Sequence, residues 1–218
     1  MTQKLRNGRT PFRYPDYRNY VVNRFLWNFG LQMMGVATSW LVYERTQDPL
    51  SLGLIGLVSF APLIPLSLIT GPVADRYDRR LILMIGCGVM ALCAASMLAL
   101  THVLLVWPIY AVVVILATGR SFSNPAGQAL MMSLVPDEEF TSAVSWNNSA
   151  TQMATILGPG FGGLLYPLGA AVPFGVAFVI FVLAVVFAAR VKSQGRPTGR
   201  PPVTLAVLVA GYKYIWSS

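Results

Sequence analysis

The chain has 218 residues, of which 55% are hydrophobic and only 11% are charged, and its mean hydropathy is +0.60. Because soluble domains carry about 25% charged residues, this composition excludes an ordinary soluble globular domain. The net charge of +8 would suit a nucleic-acid-binding protein. However, the basic residues lie at the ends of apolar stretches, which indicates membrane topology instead.

Six apolar stretches follow one another along the chain, and a helix needs roughly 20 such residues to cross a bilayer. They cover approximately residues 20–43, 52–72, 81–100, 104–136, 140–165 and 170–189. Because backbone polar groups in hydrocarbon must be hydrogen-bonded within the chain, all six are predicted to be helices. The sequence therefore predicts an all-α membrane protein in three parts: a basic tail at 1–19, a six-helix bundle at 20–189, and a linker with an amphipathic helix at 190–218.

The basic residues are distributed unevenly between the two ends of these stretches. If the N-terminus is cytoplasmic, every Lys and Arg lies on the cytoplasmic side except Arg45, which is outside, and Arg120, which is within a stretch. Cytoplasmic loops of membrane proteins are enriched in Lys and Arg. This asymmetry predicts a multi-pass protein of the bacterial inner membrane, with both termini in the cytoplasm.

The loop after the second stretch begins at Gly71 and reads Gly-Pro-Val-Ala-Asp-Arg-Tyr-Asp-Arg-Arg. A cytoplasmic loop alone explains the arginines, but not a glycine at the helix end followed by an aspartate four residues later. The pattern resembles the signature loop of the major facilitator superfamily. The resemblance implies that Gly71 permits close helix contact and that Asp75 pairs across the two halves of a transporter. It further implies a cytoplasmic gate whose charge relay is formed by Arg76, Arg79 and Arg80.

A second motif in the fifth stretch reads Gly-Pro-Gly-Phe-Gly-Gly from Gly158. Gly and Pro are common in membrane helices, so a plain packing role stays open. The run also resembles the antiporter signature of the same superfamily, which would imply export by antiport. In that signature Pro159 bends the helix, while Gly158, Gly162 and Gly163 allow tight packing. The extended signature has a further glycine four residues upstream of Gly158, where this chain has Ala154.

Arg120 lies inside the fourth stretch, where a charge is costly, so it predicts a functional site. Snorkelling to the cytoplasmic headgroups is the alternative. The surrounding Arg-Ser-Phe-Ser-Asn-Pro-Ala resembles a stretch of the siderophore and macrolide exporter branch of the superfamily. Residues 211–216, Gly-Tyr-Lys-Tyr-Ile-Trp, resemble the helix that precedes the seventh span in that branch.

Two stretches carry polar stripes at helical spacing. They consist of Asn28, Gln32, Gly35 and Ser39 in the first stretch and Ser145, Asn148, Gln152 and Thr155 in the fifth. A polar face in lipid turns either to another helix, through hydrogen bonds, or to a water-filled cavity. The family resemblance favours a substrate cavity, with the candidate lining Asn28, Gln32, Asn148, Gln152 and Thr155.

These patterns together imply a secondary active transporter of the major facilitator fold, with six helices arranged as two inverted three-helix repeats. Its expected cargo is an amphipathic small molecule, such as a drug or siderophore, exported by alternating access. The expected partners are the lipid bilayer, the cargo, a coupling ion with the proton as first candidate, and a missing C-terminal six-helix half. No nucleic acid is expected as a partner.

Other classes of protein find little support in the residues. One His and two Cys, Cys87 and Cys93 within the third stretch, are too few for a metal site or a catalytic base, so neither an enzyme nor a metal or cofactor is expected. No phosphate-binding loop is present, which excludes ATP as the direct energy source. The alternative function is a six-helix half-transporter or a non-transporting membrane scaffold that needs a partner bundle.

Overall fold

The computed structural model of the protein describes residues 10–192, except the side chains of Thr10, Leu68 and Asp75. This part of the chain contains α-helices and short 3₁₀ helices and no strand. The α-helices are α1 (Pro15–Thr46), α2 (Pro49–Phe60), α3 (Leu63–Arg76), α4 (Arg79–Leu100), α5 (Trp107–Leu134), α6 (Phe140–Leu165) and α7 (Ala171–Arg190). The predicted amphipathic helix and its linker lie outside the described residues, as does most of the basic tail.

The second predicted stretch is a broken helix rather than the continuous one predicted. The break at Ala61 and Pro62 separates α2 from α3. Pro62 and Pro65 have no amide hydrogen, and their rings crowd the preceding turn, so two helical hydrogen bonds are lost in succession. Each of the other five stretches corresponds to one helix.

Short polar residues set the starts of two helices, and a glycine permits the last turn. The Asp48 carboxylate accepts a hydrogen bond from the Leu50 amide at 3.0 Å, and Asp78 accepts one from the Arg80 amide at 2.9 Å. These are N-caps, which satisfy amides that have no partner inside the helix. Gly169 has a φ of 135°, a backbone conformation that favours glycine, and it lets the chain reverse into α7.

Three described segments are long and apolar enough to cross a membrane: Pro49–Ser67, Arg79–Leu100 and Ala171–Arg190. The helices α1, α5 and α6 are longer still, at 32, 28 and 26 residues, but they carry more polar residues. At 1.5 Å per residue each of them exceeds a hydrocarbon thickness of about 30 Å. The all-helical fold class is therefore confirmed for the described residues.

The helices pack around α1 and α4. The helix α1 lies against α6 and α7, α4 lies against α5 and α7, and α2 and α3 lie against α5. The larger hydrophobic core forms where α1, α4 and α7 meet, around Trp27, Met90 and Phe181. Cys87 and Cys93 are buried free thiols within it.

One buried amide ties three of these helices together. The Asn23 side chain on α1 donates a 2.7 Å hydrogen bond to the Ala184 carbonyl on α7, and it lies 3.4 Å from the Cys87 sulphur on α4. Asn23 is 1% exposed, so both contacts are shielded from solvent. The amide nitrogen of Asn23 is thus engaged in contacts between helices, which stabilise the bundle.

The contact between α1 and α6 depends on two glycines of the fifth-stretch motif. A Cβ atom at Gly158 would lie 2.7 Å from the Cβ of Gln32, and one at Gly162 would lie 2.7 Å from the carbonyl oxygen of Met33. Both distances are shorter than real Cβ contacts, and the second neighbour is backbone, which cannot turn aside. Glycine at these two positions therefore lets the helix backbones approach closely.

The neighbouring small residues divide between this contact and open space. Ala154, where the extended signature has glycine, is 0% exposed and extends the same face by one turn. A Cβ at Gly160 or Gly163 would meet nothing within 4 Å. Gly163 thus has no packing role in the described part of the chain.

We expect Gly162→Ala to destabilise the protein by about 1–3 kcal/mol, because the added methyl group collides with the α1 backbone. Gly163→Ala is the matched control, and it should be neutral or slightly stabilising, since alanine favours helix by up to about 1 kcal/mol over glycine. Thermal unfolding of the purified chain in detergent, followed by circular dichroism, measures both. Equal midpoints for the two variants would contradict the assigned contact.

Candidate transport cavity and cytoplasmic gate

A cavity of about 130 Å³ lies between α1, α2 and α5. Its walls are largely apolar, and its polar side chains are Gln32, Thr38, Ser59 and Arg120. The hydroxyls of Thr38 and Ser59 donate to carbonyls one turn back on their own helices. Gln32 and Arg120 are therefore the groups that give this cavity its polar character, and no acidic side chain lines it.

Arg120 is exposed on this cavity, on the face of α5 that turns towards α1. The structure thus brings it together with one of the predicted cavity residues, Gln32, from the facing helix. Gln32 also lies beside Gly158, at the point where α6 comes closest to α1. Because Arg120 lines the same cavity as a polar residue of another helix, its position favours a functional role over snorkelling to the headgroups.

The second cationic group near this cavity is Arg24, which the sequence analysis counted only as a cytoplasmic charge. Its Nη2 lies 3.5 Å from the Asn124 side-chain oxygen on α5, the outer limit of a hydrogen bond. Its Nε and Nη1 are buried without a hydrogen-bond partner. Asn28 donates a 2.8 Å hydrogen bond to the Arg24 carbonyl, which orients the amide along α1. The sequence did contain a signal for this position. Arg24 lies four residues before Asn28, and Gln32 follows at the same spacing, so Arg24 continues the predicted polar stripe by one turn.

The polar stripe of α6 behaves differently from that of α1. Asn148 and Gln152 are exposed, and within residues 10–192 neither bonds to another helix. Thr155 is half-buried and donates to the Thr151 carbonyl on its own helix. These residues therefore do not act as interhelical hydrogen-bonding groups in the described bundle, although the structure does not bring them into the cavity that contains Gln32.

The residues of the predicted gate are divided between the end of α3 and the start of α4. Arg79 donates to the Ala129 carbonyl of α5 at 2.9 Å, and Arg80 donates to the Ala189 carbonyl near the end of α7. Cations at helix C-termini satisfy free carbonyls and complement the helix dipole. These two arginines therefore hold the C-terminal parts of α5 and α7 against the start of α4.

The remaining gate residues face outwards or are not described. Arg76 is exposed at the end of α3, and a Cβ at Gly71 would meet nothing within 4 Å. The predicted close contact at Gly71 is therefore not made by the described helices. The Asp75 side chain lies outside the described part of the chain.

The opposite end of the bundle is held by a network around Glu44 and Arg45. Arg45 donates to the carbonyls of Leu100 and Thr101 at 2.8 and 3.0 Å, and the Tyr166 hydroxyl donates to the Glu44 carboxylate at 2.7 Å. Burial raises the pKa of the Tyr166 hydroxyl well above its ordinary value, and the bonded carboxylate adds to the effect. The Glu44 carboxylate is thus engaged with the turn before α7.

A bundle of long apolar helices around a cavity that contains an arginine is compatible with a multi-pass transporter. The family model for the transmembrane secretion effectors matches residues 7–218. The chain therefore belongs to this family of the major facilitator superfamily, as the signature loop predicted.

Curated relatives of this chain include exporters and a siderophore transporter by name. Macrolide efflux protein A of Streptococcus pyogenes is 28% identical over 62% of this chain and 34% of its own length. The protein of the same name from Enterococcus faecalis is 28% identical over 67% of this chain and 46% of its own length. The staphyloferrin A transporter of Staphylococcus aureus is 27% identical over 65% of this chain and 36% of its own length. The chain thus matches between a third and a half of the length of these relatives.

Tyr166→Phe should reduce the loss of stability at alkaline pH. The free tyrosine ionises near pH 10 in the unfolded chain, whereas the raised pKa keeps Tyr166 neutral in the folded chain, so its stabilisation is complete below pH 10 and declines above it. The unfolding midpoint between pH 8 and 11.5 should fall less steeply in this variant than in the wild type. Tyr43→Phe, at an exposed position of the same end, is the control and should follow the wild type. Parallel curves for Tyr166→Phe and the wild type would refute the coupling.

Proposed function

We propose that this chain forms the six-helix N-terminal half of a secondary active exporter that works by alternating access. The observation that carries the proposal is the cavity between α1, α2 and α5, which Arg120 and Gln32 line from two different helices. A charged residue at membrane depth is costly and belongs to substrate or ion pathways. Family membership and the printed names of the relatives, two of which are efflux proteins, support export as the direction.

The pattern of helix contacts supports six spans arranged as two inverted three-helix repeats. The first repeat would contain α1, the broken pair α2 and α3, and α4, while the second would contain α5, α6 and α7. If the two repeats are exchanged, α1 corresponds to α5, the pair α2 and α3 corresponds to α6, and α4 corresponds to α7. The α1–α6 contact then corresponds to the contact of α5 with α2 and α3, and the α1–α7 contact corresponds to the α5–α4 contact. All four contacts are present, and α4 lies on its counterpart α7, as a two-fold axis between them requires.

The distribution of charge supports a cytoplasmic location for both termini. Arg79 and Arg80 lie at the same end of the bundle as the start of α1 and the end of α7, because Asp16 accepts a hydrogen bond from the Lys192 amide there. Arg13, Arg18, Arg190 and Lys192 also lie at this end. Such a concentration of basic residues is typical of the cytoplasmic face.

The surface of the bundle supports a partner bundle of six further helices, as the family resemblance implies. The helix α2 exposes Leu50 at 76%, Leu57 at 66% and Phe60 at 62%, which is compatible with lipid or with an apolar helix. In contrast, α6 exposes Asn148 and Gln152, which lipid cannot satisfy. A second bundle on this side would enclose the polar stripe in a central cavity.

The cargo and the coupling ion follow from the same features. The apolar walls of the cavity suit an amphipathic small molecule, such as a drug or siderophore, and the glycine motif of α6 supports antiport. No Asp or Glu lies within the predicted membrane stretches of this half. The carboxylate that exchanges the ion, with the proton as first candidate, therefore belongs to the second half or to a boundary position such as Asp75.

Inverted membrane vesicles that contain the full-length gene product test the proposal. We expect proton-dependent uptake of at least one of three fluorescent amphiphiles, one anionic, one neutral and one cationic, and its loss with an uncoupler. Asp75→Asn should reduce the rate at least tenfold while membrane insertion is retained, because the gate loses its carboxylate. Asp137→Asn, in the exposed loop before α6, is the control and should keep the wild-type rate. Absence of uptake for all three dyes, or a wild-type rate for Asp75→Asn, would contradict the proposal.

A further inference from the structure

Two arginines of facing helices lie along one face of α5. This face carries Arg120, Asn124 and Gly127, since these residues are four and three positions apart. Arg24 of α1 meets it at Asn124 and Gly127: its Nη1 lies 3.3 Å from where a Cβ at Gly127 would be, and its Nη2 lies 3.5 Å from Asn124. Arg120 lies one turn before Asn124 and lines the cavity together with Gln32 of α1. The cavity and this face of α5 are together called the cleft.

Neither arginine is neutralised. The guanidinium of Arg24 has two buried nitrogens without a hydrogen-bond partner, and neither Arg24 nor Arg120 forms an ion pair with any described side chain. The walls of the cavity contain no acidic side chain, and neither do the six predicted membrane stretches. Buried charges in proteins are normally paired, and an intramembrane arginine is expensive without a partner. The cleft therefore holds positive charge that an anion would compensate.

The donors around Arg120 match a carboxylate in particular. A guanidinium presents parallel N–H groups that bind both oxygens of a carboxylate, and the Gln32 amide adds a further donor from the opposite wall. The rest of the wall is apolar, with Leu31, Ile55, Val113 and Leu116. A molecule that satisfies both the polar donors and the apolar walls has a carboxylate attached to an apolar body.

We propose that this cleft selects amphipathic anions, with the cargo carboxylate on Arg120 and Gln32 and with Arg24 as a positioning residue that keeps the inner end of the cleft positive. This inference rests on the proposed transport function and names the charge of its substrate. It adds a negative charge to the sequence-based expectation of an amphipathic small-molecule cargo.

Binding measurements on the full 218-residue chain in phosphatidylcholine nanodiscs test the selectivity without the need for transport. The probes are 9-anthracenecarboxylate and its methyl ester, which share one ring system and differ by one negative charge, and fluorescence anisotropy reports their binding. We expect the carboxylate to bind at least tenfold more tightly than the ester. Arg120→Gln should abolish this preference, Arg24→Gln should reduce it severalfold, and Arg24→Lys should retain most of it.

Arg18→Gln, at an exposed position near the start of α1, is the matched control and should keep the full preference. Circular dichroism and size-exclusion profiles establish that each variant is folded, and Arg24→Lys serves as the informative variant if Arg24→Gln does not fold. Equal affinities for acid and ester, no binding of either probe, or an unchanged preference in Arg120→Gln would overturn the inference. Vesicle transport restricted to neutral or cationic dyes would also overturn it, while the exporter function would stand.

Discussion

Polar groups inside a bilayer must find hydrogen-bond partners within the protein. This constraint distinguishes the residues that hold the helices together from those that line the cavity. The Asn23 amide bonds to the Ala184 carbonyl, and most Ser and Thr hydroxyls in the helices bond to carbonyls on their own turn. Arg79 bonds to a helix carbonyl in the same way. These contacts stabilise the bundle. Arg120 and Gln32, which line the cavity, form no hydrogen bond to another helix in the described part of the chain, and Arg24 of α1 has two buried nitrogens without a partner.

Close packing of α6 on α1 determines which face of α1 is left for this cleft. Gly158 and Gly162 let the backbones meet, and α7 occupies a further side of α1 around Gly30. The remaining face carries Asn28, Gln32 and Gly35, and a Cβ at Gly35 would meet nothing within 4 Å. The glycines of the antiporter-type motif thus act in this half by fixing helix positions, and the polar stripe of α1 remains open as a consequence.

The sequence predicted the helices, the stripes and the family, because each depends on local composition and spacing. It could not predict which glycines make contact, since Gly162 and Gly163 are adjacent in the sequence but only Gly162 meets α1. The carbonyl partners of Arg79 and Arg80 depend on how α5 and α7 end beside α4, which no local pattern specifies. The break at Pro62 was readable from the two prolines, whereas the burial of Arg24 required the position of α5.

The account depends most directly on water reaching the Gln32 face of α1 at membrane depth. The test uses the single-cysteine variants Gln32→Cys and Gly35→Cys in a background with Cys87→Ala and Cys93→Ala. A membrane-impermeant thiol reagent reports the access of water to each position, because it needs a hydrated thiolate. Right-side-out and inverted vesicles together cover both membrane faces. We predict modification at these two positions from at least one side and none at Met33→Cys or Ala37→Cys, whose side chains are 0% exposed. Protection of Gln32→Cys and Gly35→Cys from both sides, or equal modification at all four positions, would contradict the account.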